Sequence, residues 1–167
     1  TIAYMNNIDF YRGLNNFKYI EMIYKKCINI HAKNNDMIAC ADTYNGIGYN
    51  SSLVEMFLEA NKYYNHALKI YYEHNQPEKM GETLYNMAIN CMLAYDYKKG
   101  LEYLNISINI LDILGFQGYK ISKVSKLYGL AALSNYYLEA DYNCYMFLNK
   151  IERIIDHILE DHFNIKE

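Results

Sequence analysis

The sequence predicts an all-α fold, a stack of four helical hairpins with about eight helices in a single domain. Three observations predict it. First, residue types recur at a spacing of 40: Tyr44, Ile47 and Gly48 stand where Leu84, Met87 and Ala88 stand, and Phe57, Ala60, Tyr64 and Ala67 answer Tyr97, Gly100, Leu104 and Ser107. Second, breakers are scarce, with one proline in 167 residues and no strict apolar–polar alternation that would indicate strands. Third, small residues (Gly48, Ala60, Ala88, Gly100) fall in the middle of the predicted hairpins. There they let two antiparallel helices approach closely while Leu and aromatic side chains fill the space around them. One such hairpin cannot bury its apolar face alone, so it stacks on copies of itself.

The repeats span about 1–36, 37–79, 80–119 and 120–160. In the first, Tyr4, Ile8, Phe17, Ile20, Tyr24 and Cys27 occupy the recurring slots. Its turn is placed at Gly13-Leu14-Asn15-Asn16, residues that tolerate the left-handed backbone closing a helix. Asp36 is the predicted N-cap of a helix beginning at Met37. The second hairpin turns near Val54–Met56, a stretch with no breaker, placed by the period alone. Pro77 opens the third, which turns at Asp96-Tyr97 and stops at the glycines of Leu114–Gly118. Ile30, Ile70 and Ile110 mark the ends of the second helices, again 40 apart. The fourth copy matches more loosely. Leu127, Leu130 and Ala131 answer Leu84, Met87 and Ala88 at 43, and an Asp141-Tyr142 turn answers Asp96-Tyr97 at 45, which predicts two residues inserted between its helices. Cys144, Leu148 and Ile151 then fit the small and apolar slots of the last helix, and a polar tail follows from Glu160. The chain begins inside a repeat without an initiator Met, so it is expected to be part of a longer protein.

This order of residues resembles the tetratricopeptide repeat: a large or aromatic residue, a small one four on, a turn followed by an aromatic, then small–aromatic–small down the second helix. The resemblance covers essentially the whole chain and implies a right-handed superhelix. The repeat exceeds the usual 34 residues or so, which implies second helices longer by a turn or more. In repeat length and texture the chain is similar to the extended repeats of bacterial peptide-sensing regulators of the Rap, Rgg and PlcR type.

Composition narrows the function. A net charge of −3 from 16 basic and 19 acidic residues supplies no concentrated basic patch for nucleic acid. Twenty tyrosines suit a repeat interface, because the ring packs while the hydroxyl reaches water or a polar partner. Cys27, Cys40, Cys91 and Cys144 are scattered without a C-x-x-C pair, which reads as reduced thiols in a cytoplasmic protein. No signal peptide or run of transmembrane length is present. Asp156-His157-Ile158-Leu159-Glu160-Asp161-His162 has the residue types of a catalytic or metal site. A spacing of five, however, puts the two imidazoles roughly 140° apart on a helix, unlike H-E-x-x-H. His31, His66 and His74 are isolated, Gly46-Ile47-Gly48 follows no strand, and Lys120, Lys123 and Lys126 read as a solvated stripe. No enzymatic function and no cofactor are indicated.

What remains is a groove. In tetratricopeptide arrays the first helices line the concave face, and the resemblance carries its inward positions onto Met5, Asn6, Asp9 and Arg12, then Asp42, Asn45, Tyr49 and Ser52. In the third repeat it reaches Glu82, Tyr85, Asn86, Ile89 and Met92, and in the fourth Ser125, Tyr128, Ala132 and Asn135. Asparagines in such a groove clamp a peptide backbone, since one carboxamide offers both donor and acceptor. The implied function is a non-enzymatic module that binds a peptide or protein partner, the sensor or interaction domain of a bacterial transcriptional regulator. Binding to nucleic acid or membrane is not implied, and a second copy of the chain is a further partner to consider. An assembly scaffold without a peptide ligand, or the regulatory domain of a kinase or phosphatase, are the alternatives.

Overall fold

The computed structural model describes residues 17–114 and 121–164, and every regular element among them is an α-helix. In chain order these are α1 (Phe17–Lys33), α2 (Met37–Leu53), α3 (Phe57–Glu73), α4 (Pro77–Leu93), α5 (Tyr97–Leu114), α6 (Ile121–Tyr137) and α7 (Asp141–Asn164). Contacts are most extensive within α2–α3, α4–α5 and α6–α7, which defines three hairpins. The hairpins stack in sequence order, with α1 against α2, α3 against α4 and α5 against α6. Beyond chain neighbours, α2 also touches α4 directly. The chain is therefore an all-α superhelix of helical hairpins. The helix expected to precede α1 falls outside the described residues.

One connection is used throughout. Each of the five described turns leaves three residues between helices, and the middle one has a left-handed backbone: Asn35 (φ 57°), Glu55 (61°), Asn75 (51°), Tyr95 (61°) and Glu139 (55°). In the second hairpin the Glu55 amide donates to the Ser52 carbonyl at 3.1 Å and the Met56 amide to Ser51 at 2.9 Å. That pair of bonds is the Schellman closure, and it recurs at the other four turns. The closing residue then starts the next helix: Asp36, Met56, Gln76, Asp96 and Ala140 accept from the amides of Cys40, Ala60, Met80, Gly100 and Cys144. Side chains reinforce two of these starts, with Asp36 accepting from the Ala39 amide at 3.0 Å and Asp96 from the Lys99 amide at 3.1 Å.

The turn near Val54–Met56 thus lies where the period placed it. The turn after α4 is Ala94-Tyr95-Asp96 and that after α6 is Leu138-Glu139-Ala140, which begin two and three residues before the expected Asp96-Tyr97 and Asp141-Tyr142, because Tyr97 and Asp141 are already helical. The added repeat length is not confined to second helices. Helices α2, α3 and α4 have 17 residues each and α5 has 18, so both members of a hairpin are long.

The fourth repeat corrects the sequence register. Helices α6 and α7 start 44 residues after α4 and α5, so nothing is inserted between them and the extra residues precede α6. Burial repeats with the same offset. Thr83, Leu84, Met87, Ala88, Asn90 and Cys91 are buried, and so are Leu127, Tyr128, Ala131, Ala132, Ser134 and Asn135. Ala132, not Ala131, therefore takes the place of Ala88. On α7 the inward face is Phe147, Ile151 and Ile154 with half-buried Cys144, whereas Leu148 is 49% exposed. The equivalent Leu104 is fully buried because α6 covers it, and no described helix covers that side of α7.

Core packing explains the small residues. A Cβ added to Gly48 would lie 2.7 Å from the ring of Tyr64, which is 1% exposed and packs with Ala60, Leu84 and Met87. Buried asparagines tie neighbouring helices together. Asn90 accepts from Ser52 at 2.5 Å and donates to the Phe57 carbonyl at 3.0 Å and to Asn61 at 3.1 Å. Asn50 donates to the Tyr24 hydroxyl at 3.0 Å.

Two outcomes follow for stability. Glu55→Gly and Tyr95→Gly each relieve a left-handed non-glycine residue and should stabilise the chain by about 1 kcal/mol, seen as a melting temperature higher by a few degrees. Gly48→Ala gains about 1 kcal/mol of helix propensity but overpacks a fixed ring at a cost of about 1–3 kcal/mol. The melt should fall, and a rise would show that Tyr64 is free to move.

Candidate binding cleft

The constant turn sets α2 and α4 in one phase 40 residues apart, and α6 repeats that phase at an offset of 44, so equivalent residues form rows across the three helices. Asp42, Glu82 and Lys126 make one row on α2, α4 and α6. Asn45, Tyr85 and Gly129 make the next, and Tyr49, Ile89 and Leu133 a third, apolar row. Between these helices lies a cavity of about 260 Å³, lined by Asn45, Gly81, Glu82, Tyr85, Asn86, Lys126 and Leu127.

Four residues expected in the groove, Asn45, Glu82, Tyr85 and Asn86, line this one cavity. The Asn86 amide donates to the Asn45 side-chain oxygen at 3.3 Å, joining α4 to α2 at the cavity wall. Tyr49 is 47% exposed and Ile89 half-buried, each one helical turn beyond the lining. Asn6, Asp9, Arg12 and Met5 lie outside the described residues.

Tyr128 is a correction. It is buried in the core, its ring 6.1 Å from Phe147 and beneath the Lys150 ammonium at 5.2 Å. With the register at 44, its slot is that of core Leu84, and the row is filled by Gly129 instead. Ala132 and Asn135 are buried for the same reason, and Ser52 is spent inside on Asn90. Lys126, read from the sequence as solvated, is the fourth hairpin's polar contribution to the cavity. Only the register conceals it, since Lys126 answers Glu82 once the offset is 44.

Asp42 on α2 stands in the row of Glu82 and Lys126 but outside the cavity lining. It accepts from the Tyr71 hydroxyl at 2.6 Å and pairs with Lys79 at 2.5 Å, and the same ammonium sits 5.7 Å from the Tyr71 ring centre. Burial first, then the hydrogen bond to Asp42 and the charges of Asp42 and Glu82, push the Tyr71 phenol well above its usual value. Burial likewise raises Tyr85 in the cavity wall and takes Tyr64 beneath it to about 12. Cys91, next to Asn90, is pushed up to about 11 by burial, so it remains a thiol at neutral pH. The histidines do not converge: His66 stacks on Tyr44 at 5.2 Å, and His31 lies 4.0 Å from Asp36. Among the described residues no three His, Cys, Asp or Glu side chains are placed to hold a metal ion, and no helix is long and apolar enough to cross a membrane. The Asp156–His162 string lies on α7, with its histidine side chains outside the described ones.

No protein-family model matches the sequence, and a search of curated proteins finds no relative. Solved structures do match. One is the crystal structure of BtubC (BKLC) from P. vanneervenii, with a TM-score of 0.80 at 13% identity over 93% of this chain. The match spans 63% of that chain's length. At this identity the similarity establishes the fold, a helical-repeat superhelix.

Buried tyrosines make stability sensitive to alkali. A phenol whose folded value is raised stabilises the fold fully below its unfolded value near 10, and that stability is lost as pH rises. Melting temperature should therefore fall between about pH 10 and 12, the window set by Tyr64. Tyr64→Phe should make the fall shallower, and an unchanged slope would remove Tyr64 from it.

Proposed function

We propose that the chain is a tetratricopeptide-like, non-enzymatic binding module that receives a peptide or protein segment in the cleft between α2, α4 and α6. One observation carries this: Asn45, Glu82, Tyr85, Asn86 and Lys126, supplied by three hairpins, surround a single cavity of about 260 Å³. That volume is below the roughly 300–1,000 Å³ of sites that enclose a whole small molecule, so it suits one anchoring group of a larger partner. With the Asn86 amide engaged by Asn45, the pair still offers both donor and acceptor atoms to a peptide group. Glu82 and Lys126 present opposite charges, and the row of Tyr49, Ile89 and Leu133 provides an apolar strip beside them. The resemblance to extended repeats of bacterial peptide-responsive regulators supports a cytoplasmic sensor domain. In that reading, occupancy of the cleft alters the superhelix and so an attached output domain.

A random peptide library selected on the folded chain tests the cleft. Enriched peptides should bind the Asn86→Ala variant at least tenfold more weakly, equivalent to about 1.4 kcal/mol, while its melt stays within about 1 kcal/mol of the parent. Peptides that bind both forms equally would place the site elsewhere.

A further inference from the structure

The outer face of α7 is built like a stacking face yet carries no helix among the described residues. In α3 the side turned to the next hairpin is Asn61, Tyr64, Leu68 and Tyr71. In α5 it includes Leu101, Leu104 and Ile108. Tyr64 and Tyr71 are 1% exposed and Leu104 is fully buried. The same slots of α7 hold Tyr145, Leu148, Glu152 and Ile155, and here Tyr145 is 68%, Leu148 49% and Ile155 49% exposed. Tyr142, 77% exposed, extends the stripe by another turn.

Two features select the occupant. Glu152 stands where Leu68 and Ile108 stand, so whatever covers this face must supply its carboxylate with a hydrogen-bond donor. The chain also shows how it satisfies such a group between helices. Tyr63 on α3 donates its hydroxyl to Glu21 on α1, and Tyr71 on α3 donates to Asp42 on α2. Tyr145 and Glu152 are seven residues apart on one stripe, about 10 Å along the helix axis. An antiparallel copy of α7, with its two-fold axis between residues 148 and 149, therefore sets each Tyr145 opposite the other chain's Glu152. The same register brings the two Leu148 side chains together at the axis and sets each Tyr142 against Ile155. The stripe is complementary to itself, as an isologous interface requires.

We propose that two copies of this chain pair through α7 in antiparallel fashion, with Leu148 at the two-fold axis and reciprocal Tyr145–Glu152 hydrogen bonds on either side.

Sedimentation of the 167-residue chain tests this directly. The chain should be dimeric, and Leu148→Glu, at an exposed position, should be monomeric with an unchanged helical circular dichroism spectrum. Tyr145→Phe should weaken the dimer about tenfold or more, since each copy loses a hydrogen bond to a charged group. In a Cys144→Ala background, Leu148→Cys should form a disulfide-linked dimer on mild oxidation, because among antiparallel registers this one centres on residue 148 and brings its two copies within bonding distance. A monomeric parent chain, a dimer insensitive to Leu148→Glu, open-ended oligomers, or a dimer that fails to cross-link through residue 148 would each overturn the proposal.

Discussion

Everything in this molecule depends on how a helix ends. Five times the chain closes a helix through a left-handed residue and a Schellman pair of hydrogen bonds, and the residue that completes the closure begins the next helix. Because each of these five turns is three residues, successive helices from α1 to α5 start 20 residues apart. Among the described turns, those within hairpins are the same as those between hairpins. Fixed length converts a one-dimensional period into a three-dimensional one: equivalent residues of α2 and α4 fall in line, α6 joins them at its offset of 44, and the rows of the cleft follow from that alignment. The closure does not rely on glycine. Asn35 and Asn75 tolerate the left-handed region well, whereas Glu55, Tyr95 and Glu139 hold it because the bonds around them over-determine it.

Tyrosine and asparagine connect what the turns align. A tyrosine ring fills the space opposite Gly48, and tyrosine hydroxyls reach carboxylates on neighbouring helices, as Tyr71 does to Asp42 and Tyr63 to Glu21. Asn90 uses both halves of its carboxamide to join α4 to α2 and α3. Such polar links are worth little individually in net free energy, but leaving any one of them unmade in the interior would cost about 1–3 kcal/mol. They therefore discriminate against slipped stacking more than they add to stability. The same chemistry on the cleft wall, Asn86 with Asn45, is accessible from the cavity.

Much of the fold and part of the site were legible in the sequence. Periodic placement of Ala60, Tyr64, Ala67 and their equivalents identified helical hairpins and their order, because burial of a repeating face requires a repeating pattern. Even the unpunctuated turn at Val54–Met56 was placed by the period. Asn45, Glu82, Tyr85 and Asn86 were legible as neighbours for the same reason, lying where the 40-residue spacing is strict. What went unread was Asn90, an interior carboxamide with a surface-type side chain, although Asn50 stands 40 residues before it and is buried too. Its burial depends on partners from two other helices.

The sequence by itself determined the helical class, the number and order of the described hairpins, and the phase of the repeats up to α5, all consequences of local pattern and spacing. Tertiary structure alone decided the register of the last hairpin. A one-residue slip turns a helix by about 100° and exchanges a core side chain for a cleft side chain, and apolar residues at both 127 and 128 satisfy the pattern either way. Helix caps and the packing of Tyr128 against Phe147 settle it, which buries Tyr128 and turns Lys126 to the cleft.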